Sequence, residues 1–157
     1  MAAKRKPVIA IIGGGACSQE QADMAAAAGR IIAENGGVVV CGGLGGTMLG
    51  AARGAREAGG VTIGIIPSDN KNDANEHIDY VIPTGLGEAR NALVVRTADA
   101  VLAFPGSYGT LSEISFALIA GKPLVTVGGW EFIERAEQFD DPVAAARRAL
   151  ELAREWT

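Results

Sequence analysis

Five short apolar runs punctuate the chain: VIAII at 8–12, VVVC at 38–41, VTIGII at 61–66, AVLAF at 100–104 and LVTV at 124–127. Each is continuous rather than alternating, the pattern of strands covered on both faces, as in a parallel sheet. Helical patterns fill the intervals at 19–34, 47–58, 86–97 and 111–121. A last one at 142–156 opens with Asp141 as N-cap and Pro142 at the first helical position, where its missing N–H costs nothing.

Strand alternating with helix, on connections long enough for right-handed crossovers, predicts an α/β fold. We expect a doubly wound, mostly parallel, Rossmann-like sheet in three layers, α/β/α, with the five strands ordered 3-2-1-4-5. No linker or repeat interrupts it, so residues 1–157 form one domain, with 1–7 as a basic tail. The polar connection SDNKNDANEHID at 68–79 reads as an exposed loop rather than a lid.

Composition narrows the function. At 157 residues and 48% hydrophobic the chain is long enough to bury a core. Its formal net charge is −4 and its one dense basic run is Lys4-Arg5-Lys6, which argues against a nucleic-acid surface. The apolar run 8–12 is too short for a signal-peptide core or a membrane span of about 20 residues, so a cytoplasmic protein with no membrane partner is expected. Cys17 and Cys41 lack metal or redox spacing and read as small buried thiols, and His77 is the only histidine, so no metal site is expected.

The 22 glycines cluster rather than repeat. Three glycine-dense turns close strands and open helices: Gly13-Gly14-Gly15-Ala16-Cys17-Ser18, Gly42-Gly43-Leu44-Gly45-Gly46-Thr47 and Pro105-Gly106-Ser107-Tyr108-Gly109-Thr110. In a doubly wound sheet they meet at one edge. There, unpaired helix-start N–H groups and the helix dipole make an anion cradle, and glycines let a phosphate approach the backbone. The first loop is not G-x-G-x-x-G and the second strand ends without an acid, which disfavours NAD; no G-x-x-x-x-G-K-[ST] occurs, which disfavours a Walker-type NTPase.

Within 86–97 an apolar stripe of Leu86, Ala89, Leu93, Val94 and Thr97 contains Arg90. A guanidinium there needs an anionic partner, and its planar fork suits carboxylate or phosphate. Glu113 is the natural protein partner. Thr110-Leu111-Ser112-Glu113 also has the form of a capping box, so Glu113 is expected to cap the helix and face the cradle together. Asn91 adds amide hydrogen bonds to a base, ribose or pterin.

Residues 85–125, GLGEARNALVVRTADAVLAFPGSYGTLSEISFALIAGKPLV, together with the strand-GGG and GGxGGTM turns, resemble the Rossmann-like superfamily that holds the Lonely Guy (LOG) cytokinin-activating phosphoribohydrolases and the molybdenum cofactor carrier proteins. The resemblance runs from about residue 8 to residue 127. It implies that Gly106, Gly109 and Thr110 belong to a PGGxGTxxE phosphate loop, that Glu113 is its final acid and that Arg90 is the arginine of the hydrolases' M-x-x-R-K motif. Ser107 stands where the hydrolases have glycine and Asn91 where they have lysine, which brings the chain nearer the carrier branch and its uncharacterised bacterial relatives. A homodimer or homotetramer is implied too, and alanine-rich 22–28 and 143–149 suit close helix packing.

Two readings follow. The first is a binding protein for molybdenum cofactor or a related nucleotide-like, phosphorylated small molecule, requiring no cofactor of its own. It would use Gly14, Gly15, Ser18, Gly43, Gly45, Gly46, Thr47, Arg90, Asn91, Gly106, Ser107, Tyr108, Gly109, Thr110 and Glu113. The second is a nucleoside 5′-monophosphate phosphoribohydrolase with Glu113 and Arg90 as its catalytic pair. Asn91 and Ser107 place binding ahead. Lysine decarboxylation, a label sometimes given to LOG relatives, is rejected: pyridoxal chemistry needs a Schiff-base lysine, and Lys4, Lys6, Lys71 and Lys122 all lie outside the cradle.

Overall fold

The computed structural model describes residues 4–156. Residues 1–3 of the basic tail lie outside them, while Lys4, Arg5 and Lys6 are exposed. In chain order the elements are β1 (Val8–Ile12), α1 (Gln19–Glu34), β2 (Val38–Cys41), α2 (Thr47–Glu57), β3 (Val61–Ile66), β4 (Tyr80–Pro83), α3 (Asn91–Thr97), β5 (Ala100–Ala103), α4 (Tyr108–Ile119), β6 (Leu124–Val127), β7 (Glu137–Phe139) and α5 (Pro142–Trp156). Short 3-10 turns occupy Lys71–Asp73 and Gly87–Arg90.

All seven strands join one sheet ordered β4-β3-β2-β1-β5-β6-β7, and every pairing is parallel. The five expected strands keep their expected sequence, β3-β2-β1-β5-β6. The full order differs because an unanticipated strand closes each edge.

Alternation along the strands divides the core in two. Ile9, Ile11, Val39 and Leu102 point to one face and pack against Ala28 and Ile32 of α1, Ala51 and Ala55 of α2, and Ala146, Ala149 and Leu150 of α5. Ala10, Ile12, Val40, Val101 and Ala103 point the other way, onto Val94 and Val95 of α3 and Ile114 and Ala117 of α4. That is the three-layer α/β/α arrangement. The Asp141 carboxylate caps α5 as expected, accepting the N–H groups of Val143 (3.1 Å) and Ala144 (3.3 Å).

The alanine-rich helix faces are used within the chain. Segment 22–28 lies against α2, and Ala145, Ala146 and Ala149 of the 143–149 segment are wholly buried in the core. A Cβ on Gly50 or Gly54 of α2 would overlap the carbonyl oxygens of Ala22 and Ala26 in α1. Glycine is therefore a matter of space here. Gly54→Ala should cost about 3 kcal/mol, the upper range for overpacking, because the obstacle is rigid backbone; urea denaturation measures it.

The 68–79 connection is tied down. The N–H of Asn75 donates to the Gly43 carbonyl (2.9 Å) and its side-chain amide to the Leu44 carbonyl (2.8 Å), fastening it to the turn after β2.

Candidate functional site

Because β1 sends the chain to β2 on one side and pairs with β5 on the other, the strand order reverses between β1 and β5, where α/β sheets hold ligands. The turns that follow these strands are stitched together. The N–H of Phe104 donates to the Ile12 carbonyl (2.8 Å), that of Gly14 to the Pro105 carbonyl (2.9 Å), and that of Thr47 to the Gly14 carbonyl (3.0 Å). Gln21 bridges all three turns, its amide donating to Thr47 Oγ1 (3.0 Å) and the Pro105 carbonyl (2.8 Å).

At this junction lies a cleft of about 320 Å³, at the small end of the range for small-molecule sites. Of the expected residues, Gly14, Gly15, Arg90, Asn91, Ser107, Gly109, Thr110 and Glu113 line it. The others do not. Ser18 caps α1, accepting the Gln21 N–H (3.1 Å). Gly43, Gly45, Gly46 and Thr47 form the wall behind: the Gly43 N–H is spent on Cys41 Sγ (3.4 Å), and Thr47 is wholly buried. Gly106 packs on Thr110 beside the cleft, and Tyr108 points outward, 85% exposed.

The Arg90 stripe needs correction. Leu86 and Leu93 are exposed; the buried face is Arg90, Asn91, Val94, Val95 and Ala98. Left-handed Gly85 and Gly87 (φ 64° and 59°) lead into the 3-10 turn, which advances fewer residues per turn than an α-helix and so rotates the face. The conclusion that Arg90 faces inward survives on different neighbours.

Arg90 does not pair with Glu113: among the described residues no ion pair within 4.0 Å joins them. Its Nε donates to the Ile65 carbonyl (2.9 Å), one terminal nitrogen to Asn91 Oδ1 and the other to the Gly42 carbonyl (3.5 Å). The guanidinium rests on Gly42, where a Cβ would stand 2.7 Å from it. Of five N–H groups, one on each terminal nitrogen is left without a protein acceptor. Burial pulls the Arg90 pKa down, Glu113 pulling it back up, and the group stays cationic. Asn91 is locked in turn, its amide nitrogen donating to Ser112 Oγ (3.0 Å) and the Gly109 carbonyl (3.4 Å).

The capping box is absent. α4 begins at Tyr108, three residues before the expected start, so Glu113 lies in its second turn, out of reach of the Thr110 N–H. Ser107, at the N-cap, makes no side-chain cap bond. The first-turn N–H groups of Tyr108, Gly109 and Thr110 consequently have no partner among the described residues. Glu113 is 9% exposed, lines the cleft and makes no hydrogen bond with the described residues. Burial pushes its pKa up to about 8, with Arg90 lowering it only in part.

Gly13, Leu44, Met48, Pro67 and Glu88 also line the cleft and were not anticipated. The position of Pro67, directly after β3 at the same sheet edge, was the available signal. Lys122 lies elsewhere, its ammonium capping α3 through the carbonyls of Val95 (2.7 Å), Arg96 (2.9 Å) and Ala98. Cys17, expected to be buried, is partly exposed, whereas Cys41 is buried and its thiol pushed up to about 11 by burial. Among the described residues no helix is long and apolar enough to cross a membrane.

The comparisons agree with this architecture. A solved molybdenum cofactor binding protein from Rippkaea orientalis superposes with a TM-score of 0.87 at 32% identity, covering 98% of both chains. The molybdenum cofactor carrier protein of Chlamydomonas reinhardtii does so at 0.84 and 31%, covering 94% of this chain and 98% of that one. An uncharacterized protein of Archaeoglobus fulgidus is 39% identical over 90% of this chain and 93% of its own length. A cytokinin riboside 5′-monophosphate phosphoribohydrolase of Mycobacterium tuberculosis is 34% identical over 71% of this chain, which spans 64% of that enzyme. With the family model matching residues 6–152, the chain belongs to the SLOG cluster4 family, within the superfamily that unites LOG hydrolases and molybdenum cofactor carriers.

Proposed function

We propose that the protein binds a phosphorylated small molecule, molybdenum cofactor or a related nucleotide-like ligand, without turning it over. The observation that carries this reading is the uncapped start of α4: three partnerless N–H groups beside a cleft that also holds the Arg90 cation. A phosphate there would accept the N–H groups of Tyr108, Gly109 and Thr110 and gain from the helix dipole. The two spare Arg90 N–H groups would balance its charge. The terminal phosphate of molybdopterin meets the same requirement as a nucleotide's, and the likeness to molybdenum cofactor carriers supports it.

The hydrolase reading rests on Glu113 and on the likeness to phosphoribohydrolases. Hydrolysis of an N-glycosidic bond needs a carboxylate to activate water or to stabilise an oxocarbenium ion. Burial raises the Glu113 pKa, which suits a proton donor better than a water-activating base. Binding leads because Ser107 and Asn91 stand where the hydrolase motifs have glycine and lysine.

The test is a titration of purified protein with molybdopterin and with AMP, followed by thermal unfolding and by assay for free adenine. Binding at a hundredfold excess over Kd should add about 2.7 kcal/mol of stability, with no adenine released. Adenine release that disappears in Glu113→Gln would replace the binding reading with the hydrolase; no stabilisation by either compound would end both.

A further inference from the structure

The cleft has a neighbour. A second hollow of about 420 Å³ adjoins it and shares Gly14, Gly15 and Ser107 with it as a common saddle. Ala16, Cys17 and Pro105 are among its further walls, and no charged side chain lines it. The first hollow contains Arg90, Glu113 and Glu88. The saddle thus separates a charged compartment from a neutral one, with the unpartnered N–H groups of α4 beginning directly after Ser107.

Glycines at this junction supply a separate observation. Gly13 and Gly14 are forced by crowding, since a Cβ would stand 2.7 Å from Thr47 and 2.9 Å from the Ala16 carbonyl oxygen. Gly15 is not. A Cβ there would touch nothing nearer than Met48 Cε at 3.7 Å, and the backbone is not left-handed. Gly109 is similar, with Asn91 Nδ2 at 3.8 Å, although glycine in a helix costs about 0.5–1 kcal/mol relative to alanine. Neither backbone conformation nor protein neighbours require glycine at these two positions. Gly15 lines both hollows, and Gly109 lines the first.

We infer that the ligand lies across Gly15, its phosphate seated at the saddle and an organic group on each side: within the phosphorylated class proposed above, a phosphodiester or pyrophosphate is bound in preference to a monoester such as AMP. This rests on the phosphate seat described above. The arm beside Glu113 carries hydrogen-bonding groups; the arm beside Ala16 and Cys17 is uncharged, since that hollow offers no counter-charge.

The experiment compares diadenosine 5′,5″-diphosphate with AMP by calorimetry, using the wild-type chain, Ala16→Trp and Gly15→Ala. Ala16 is exposed and Gly15 has room for a methyl group, so both variants should fold, as melting curves will verify. The wild type should bind the dinucleotide at least tenfold more tightly than AMP. Ala16→Trp should erase that advantage while leaving AMP within about twofold, and Gly15→Ala should weaken the dinucleotide more than AMP. Equal affinity of the two ligands for the wild type, or equal effects of both substitutions on both ligands, would overturn the inference and leave the phosphate seat standing. Binding of neither would remove the seat itself.

Discussion

Glu113→Gln should make the protein more stable above pH 8 by about 2–4 kcal/mol and leave it nearly unchanged near pH 5. Burial raises this carboxyl from 4.5 to about 8, and neither a hydrogen bond nor a close ion pair offsets the cost. The folded protein therefore holds a proton that the unfolded chain has released between those values. With more protons bound in the native state, stability falls as pH rises from about 4.5 to about 8 and levels off above that. Glutamine has no such proton and should not show the fall. Urea denaturation of both proteins at pH 5, 7 and 9 checks it; parallel curves across that range would show that Glu113 ionises freely in the folded state.

Arg90→Met should be the most damaging single change at the cleft, costing about 2–4 kcal/mol. It removes the donors to Ile65 and Gly42, and each buried carbonyl left unsatisfied costs about 1–3 kcal/mol. Methionine refills part of the volume, which keeps the loss below the sum of the extremes. Arg90→Lys should fold little better, because one compact ammonium cannot reach the separate acceptors on Ile65, Gly42 and Asn91 at once. Either change should shift the pH dependence too: without Arg90 the Glu113 carboxyl rises further, and the fall in stability extends upward in pH. Anion affinity should drop at least tenfold with methionine and partly recover with lysine, a split that separates the cation's role from its packing.

The interior strands were legible because a strand covered on both faces must be apolar throughout, as 8–12, 38–41, 61–66, 100–104 and 124–127 are, each too short for a helix and bounded by turn residues. The edge strands lack that constraint. Tyr80 and Ile82 of β4 are largely exposed and Pro83 ends the strand, while β7 is Glu-Gln-Phe, with no apolar run at all. Nothing in their composition distinguishes them from loop.

At the site, the glycine turns announced the sheet edge, but not which N–H groups stay free. That depends on bonds between turns, such as Thr47 to Gly14, which are distant in sequence. Thr110-x-x-Glu113 misled because a local motif was read without its neighbours: the helix starts three residues earlier, and Glu113 becomes a buried carboxyl in place of a cap. The inward orientation of Arg90 follows from a different stripe than the sequence suggests, since the 3-10 turn changes the helical phase before Asn91.

The central claim is that the first turn of α4 seats a phosphate, and the amide NMR spectrum of labelled protein titrated with AMP reads it atom by atom. The resonances of Tyr108, Gly109 and Thr110 should move furthest and saturate together, with the Arg90 side-chain N–H signals following. Saturable binding with those amides unmoved, or shifts centred on another part of the surface, would contradict it.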